Sequence, residues 1–194
     1  MIVYNKCTNI RGKKVCSVNR VNPNDVAKWF CQQGIIEQPN SKEGNMKVQK
    51  LLFFAQLIYM AEHNGETMFD EEFKAFKNGV VLESVMKNYR YKYNTMFHNA
   101  DSNDLQLDSE VKKILEKTLY IFGDASAQEL SELSHEFEAW NYFFEKSKKF
   151  GIYVKKLSVI PYNELKKELY RIEKVLSAYK QTSEFDYAEG TEDY

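Results

Sequence analysis

A chain of 194 residues, 43% hydrophobic and 14% aromatic, is long enough to fold around one substantial core and to bury roughly two thirds of its unfolded surface. A formal net charge of −1 excludes any argument for nucleic acid or membrane from bulk electrostatics. The charge is unevenly placed, however: residues 1–23 hold Lys6, Arg11, Lys13, Lys14 and Arg20 and no acid, whereas residues 182–194 hold Glu184, Asp186, Glu189, Glu192 and Asp193 and no base.

The N-terminal stretch MIVYNKCTNIRGKK lacks the apolar run of a signal peptide. Cys7, Cys16 and Cys31 are odd in number and lack C-x-x-C spacing, which reads as reduced thiols in the cytoplasm and not as a disulfide framework or a zinc site. Val3, Val15, Val18 and Val21 alternate loosely around Arg11-Gly12, so residues 1–22 are expected to form a basic arm or hairpin. Pro23-Asn24-Asp25 then starts a helix that Gly34 ends.

After a polar loop over 38–45, a second helix is predicted from Met46 to His63. Leu51, Leu52, Ala55, Ile58 and Tyr59 keep helical spacing, while Phe53, Phe54 and Leu57 fill the other sides. A helix apolar nearly all round belongs at the centre of a fold. Its most apolar part, Leu51 to Ala61, is too short for the ~20 residues a membrane span needs. Asn64-Gly65 terminates it.

Asn78-Gly79 signals a turn, followed by a short helix from Glu83 to about Tyr91. Beyond a polar loop over 99–108, a helix capped by Asp108 or Ser109 carries Val111, Ile114, Leu115, Leu119 and Ile121. Ser126 and Glu129 make a capping box for the next helix, and residues 138–147 form a short aromatic one. Ile152 to Ile160 alternates as a strand would, and Pro161 opens a long amphipathic helix with Leu165, Leu169, Ile172, Val175 and Leu176 on one face. The pattern is mainly α: a compact helical domain over 23–181 around a buried central helix, with a small antiparallel β element and an acidic flexible tail over 182–194.

No constellation supports catalysis or a cofactor. His63, His98 and His135 show no metal-ligand spacing, and Ser134 and His135 are sequence neighbours that do not face each other on a helix. The eight glycines are scattered singly, so no phosphate-cradling loop exists. Residues 146–156 (KSKKFGIYVKK) set five lysines around Phe150 and Tyr153, a composition suited to single-stranded nucleic acid. The neutral net charge and the absence of a recognition-helix pattern weigh against that use, and a solvated lysine face accounts for the cluster.

Four segments, in order, resemble the Panacea antitoxin domain, a phage-associated family that includes the SocA-like antitoxins. They are Asp25-Val26-Ala27-Lys28-Trp29-Phe30; Met46-Lys47-Val48-Gln49-Lys50-Leu51-Leu52-Phe53-Phe54-Ala55-Gln56; Phe69-Asp70-Glu71 through Phe73-Lys74-Ala75-Phe76-Lys77-Asn78-Gly79-Val80-Val81; and Ser126 to His135 followed by Ala139-Trp140. The similarity spans roughly residues 24–145. Two departures stand out: Val80 occupies the place where the family usually has proline, and Phe76 the place where it usually has tryptophan.

The resemblance implies a cytoplasmic antitoxin that neutralises its cognate toxin by direct protein–protein binding, without cofactor or catalysis. The toxin would be an alarmone-type nucleotide synthetase or another translation inhibitor, and a host protease is a further partner if the protein acts as a proteolytic adaptor. The alternative is a phage or prophage accessory protein that binds nucleic acid or a host factor. Lys50, Leu51, Leu52, Phe54 and Tyr59 read as packing residues. Toxin contact is expected at Tyr4, Arg11, Lys13 and Lys14 in the arm, and at Gly79, Val80, His135 and Trp140 in the domain.

Overall fold

The computed structural model describes residues 6–10, 13–17, 20–36, 40–93, 105, 107–149 and 152–189; the side chains at 6–10, 13–17, 91–93 and 181–189 are outside the description. The elements run β1 (Lys6–Ile10), β2 (Lys13–Ser17), α1 (Pro23–Gln32), α2 (Lys42–Glu62), β3 (Lys74–Phe76), β4 (Gly79–Val81), α3 (Glu83–Tyr93), α4 (Ser109–Phe122), α5 (Ala127–His135), α6 (Glu138–Ser147), β5 (Lys148–Lys149), β6 (Ile152–Tyr153), a 3-10 turn (Lys155–Leu157), α7 (Tyr162–Lys166) and α8 (Leu169–Glu189). The chain is mainly helical, and the described strands form three antiparallel pairs.

Helix α2 is the hub. Every residue from Val48 to Met60 is buried, and α1, α3, α4, α5, α8 and β4 all pack against it. Phe53 sits at the centre with its ring edge-on to Phe54, Phe73 and Phe137, at centroid distances of 5.5, 5.3 and 5.2 Å. Phe54 stacks on Phe122 of α4 at 4.3 Å. Truncating such a ring to alanine costs about 3–5 kcal/mol, because the cavity adds to the lost transfer energy.

A helix that is buried all round would leave the surrounding loops without partners for their backbone polar groups. The polar residues of α2 supply them. Lys47 Nζ donates to the carbonyls of Ile35 (3.1 Å) and Gly123 (2.7 Å). The Gln49 amide accepts from the Leu82 N–H (2.8 Å) and donates to its carbonyl (3.3 Å). The Gln56 side-chain oxygen accepts from the Phe69 N–H at 2.9 Å. These side chains hold the connecting segments onto the apolar helix.

The boundaries depart from the sequence expectation in four places. Helix α2 begins at Lys42, inside the expected 38–45 loop, because the Ser41 hydroxyl accepts from the Gly44 N–H at 2.9 Å and caps it. The expected 152–160 strand is reduced to β6, the 3-10 turn and a single bridge from Val159 to Lys74, since Ser158 folds back on the Lys155 carbonyl.

The long helix expected from Pro161 is broken after Lys166. The break presents the buried Glu168 carboxylate to the free N–H groups of Glu138 and Ala139 at the start of α6, each at 2.8 Å, with Arg171 beside it at 3.2 Å. Phe137 at the α6 N-cap position has no capping side chain of its own, and Glu168 takes that part. Finally, α8 continues to Glu189, past the expected end at Gln181; no glycine or proline interrupts it before Gly190.

Candidate functional site

Where β3 and β4 turn back on each other, the hairpin meets α2, α5 and α6. The centre of this junction is Lys50, which is fully buried. Its aliphatic stem lies in the core and its Nζ donates to the Val80 carbonyl at 3.0 Å. Burial pulls the amine pKa down to about 7 from its usual 10.5, since no solvent stabilises the ammonium form.

Gly79 makes room for that amine. Its φ is +91°, in the left-handed region that side chains disfavour. A Cβ at this position would also lie 2.5 Å from Lys50 Nζ and collide with the Ser134 hydroxyl. Helix α5 closes the junction from the other side. Ser131 Oγ donates to the Asn78 carbonyl at 3.0 Å, and Ser134 Oγ donates to the Ser131 carbonyl at 2.7 Å. Ser134 therefore points back into its own helix and not toward His135, which removes the geometry a serine–histidine nucleophile needs.

Outside the junction, aromatic rings form a column. His135 stacks on Trp140 at 3.8 Å and 18°, and Trp140 on Phe144 at 5.0 Å and 14°. Lys148 Nζ closes the column 4.1 Å from the Phe144 ring centre. Trp140 and Phe144 are one helical i, i+4 step apart, so α6 aligns these two rings by its own geometry, and Lys148 follows as the first residue of β5. Trp140 Nε1 donates to the Phe76 carbonyl at 3.0 Å, and Phe76 in turn stacks on Tyr153 at 5.3 Å. His135 Nε2 is buried without a hydrogen-bond partner among the described residues. Burial, then the nearby Lys50 amine, lower the His135 pKa below 6.5.

A second polar knot ties the hairpin to α3. The Glu83 carboxylate pairs with Lys74 of β3, Lys87 of α3 and Lys155 of the 3-10 turn. These three ammonium groups hold its pKa down at about 2.

The structure thus gathers Gly79, Val80, His135 and Trp140 in one place. Tyr4 and Arg11 lie outside the described residues, and Lys13 and Lys14 are placed only as backbone in β2, where Lys14 pairs with Asn9 and Lys13 with Ile10. Val80 is fully buried and Gly79 is buried in the free chain. They shape the turn whose exposed residues are Lys77 and Asn78. Sequence reading took Lys50 for packing alone, weighed Ser134 only as a nucleophile beside His135, and gave Ser131 no role of its own. The available signal was the polar set Lys47, Gln49, Lys50 and Gln56 within the largely apolar Met46–Ala61 part of α2.

Residues 48–141 match the family model of the antitoxin SocA-like, Panacea domain. Over these residues the chain is similar to the Panacea domain. The match takes in most of α2, the β3–β4 hairpin, α3, α4, α5 and the start of α6, and with them the whole Lys50 junction. It is narrower than the 24–145 range read from the sequence, and the Asp25–Phe30 segment falls outside it. No curated protein and no solved structure gives a significant match.

The two departures from the Panacea pattern fit this geometry. Val80 serves the junction through its carbonyl, which any residue provides, and Phe76 keeps an aromatic face for Tyr153 while its carbonyl holds Trp140. An antitoxin-like domain points to a role in a toxin–antitoxin pair. No described helix is long and apolar enough to cross a membrane, and no group of three or more potential metal ligands occurs among the described residues.

Proposed function

We propose that the protein is an antitoxin that silences its toxin in the cytoplasm by binding it directly, with no catalytic step. The observation that carries this reading is the Panacea match, which takes in the residues of the Lys50 junction. Around the buried Lys50–Val80 contact, the turn at Lys77 and Asn78 and the partly exposed His135 and Trp140 are fixed by main-chain hydrogen bonds and ring stacking. A surface held in this way loses little conformational entropy on association.

The toxin is an alarmone-type nucleotide synthetase or another translation inhibitor. The basic arm, through Tyr4, Arg11, Lys13 and Lys14, selects among toxins, while the domain face supplies the common contact. The test is co-expression with the product of the toxin gene adjacent to this one. Growth is expected to recover, and the two proteins should co-purify at equal stoichiometry. Growth recovery without a complex would overturn direct binding. Recovery that disappears in a protease-deficient host would assign the protein to the adaptor mechanism in place of simple blockade.

A further inference from the structure

Beyond the column, α6 runs into the β5–β6 hairpin, and this end of the molecule carries large apolar side chains that the core does not cover. Ile152 is 69% exposed and Tyr142 61% exposed. All four described hairpin residues are exposed, and the Val154 N–H bonds back to the Ser147 carbonyl at 2.7 Å, which anchors the hairpin to the end of α6. Lys146 Nζ lies over the rings of Tyr142 (5.6 Å) and Phe143 (5.2 Å). Lys149 and Lys156 form no ion pair among the described residues, and both are exposed. A shallow groove of about 420 Å³ runs along α6 past Glu138, Asn141, Tyr142, Glu145 and Lys146, and Lys148 pairs with Glu145 at its C-terminal end.

We infer that the outer face of α6 and the β5–β6 hairpin form a second docking surface, for a protein segment that combines acidic residues with an apolar side chain. The inference rests on the antitoxin reading and names the chemistry of the partner at a site outside the matched residues. Charge complementarity selects the occupant. Lys146, Lys149 and Lys156 offer positive charge that no acid among the described residues pairs with, and such charges raise association rates toward acidic surfaces. Tyr142 and Ile152 provide the apolar contact that turns an encounter into a complex.

Nucleic acid fits less well. Ile152 has no ring for a base to stack on, Lys146 already lies over the exposed Tyr142 ring, and Trp140 and Lys148 both lie against Phe144. A phosphate backbone following the groove would run onto both Glu138 and Glu145, whereas a short peptide can set its acids against Lys149 and Lys156 beyond the groove. A second copy of the same face would set like charges against each other.

The test uses a fluorescent peptide of alternating glutamate and leucine, its glutamine counterpart, and a labelled single-stranded oligonucleotide, each titrated against the full chain by anisotropy. The glutamate peptide is expected to bind, weakening as salt rises, and at least about tenfold more tightly than the glutamine peptide. Lys149→Glu with Lys156→Glu should weaken it about tenfold, and Ile152→Ser should weaken it with the salt dependence unchanged. Lys112→Glu with Lys113→Glu, the same charge change on the exposed side of α4, should leave binding intact.

Equal binding of both peptides, tighter binding of the oligonucleotide, or indifference to the hairpin substitutions would overturn the proposal. Pull-down of the co-expressed toxin separates this from the antitoxin reading. A toxin held equally by the wild-type and hairpin variants removes this surface and leaves that reading standing. Peptide binding without toxin capture does the opposite.

Discussion

Raising the pH from about 7 to about 9 is expected to stabilise the fold, because the buried Lys50 amine has its pKa lowered from 10.5 to about 7. Within that window the unfolded chain still holds the proton and the folded chain sheds it, so stability rises with pH. Each pH unit in which only the unfolded state is protonated contributes ~1.4 kcal/mol. Allowing for a folded amine half-titrated at the start, the gain from about pH 7 to about pH 9 is about 2 kcal/mol.

Near pH 9 an opposing effect begins: burial raises the Cys31 thiol to about 11 from 9.0, and Tyr59, Tyr153 and Tyr162 also titrate above their usual value. The unfolded chain then loses those protons first, and stability falls again. The assay is urea denaturation at a series of pH values, followed by fluorescence of Trp29 and Trp140. Lys50→Met keeps the buried stem and removes the titrating group, so its midpoint should stay level where the wild type climbs. A level wild-type profile, or an unchanged slope in Lys50→Met, would refute the account of a desolvated amine.

Four further outcomes follow from the same geometry. Gly79→Ala should destabilise by about 1–3 kcal/mol through positive φ and the clash with Lys50 and Ser134, and Lys50→Ala should relieve part of that cost in a double-mutant cycle. Glu168→Gln should cost about 1–3 kcal/mol, read by chemical denaturation, because two backbone donors at the start of α6 and Arg171 lose their shared anion. His135→Phe should reduce the loss of stability that the wild type shows as pH falls through 6.5, by the part due to an unfolded imidazole taking up a proton that the folded one resists; melting curves at mildly acidic pH in a Lys50→Met background, which lacks the amine's contribution, check this. Deleting residues 1–20 should leave the melting temperature nearly unchanged and abolish rescue from the toxin, whereas truncation after Gln181 should preserve both.

The sequence by itself determined the mainly helical architecture. The unbroken apolar run of α2 admits no place except the centre, the Asn78-Gly79 pair forces a turn, and Ser126 with Glu129 makes both hydrogen bonds of the expected capping box. These are local signals, each satisfied within a few residues. Only the tertiary structure decided what the polar residues of α2 do, because their partners come from elsewhere in the chain: Lys50 meets Val80, Gln49 meets Leu82 and Gln56 meets Phe69.

The break that turns Glu168 into the cap of α6 is equally invisible in a pattern of apolar spacing, which carries straight through it. So is the burial of Val80 and Gly79, which moves the accessible part of the candidate site to Lys77, Asn78, His135 and Trp140. Periodicity reports which face of an element is apolar. Which carbonyl a buried amine reaches depends on how the elements pack, and that is settled by contacts between residues far apart in the chain.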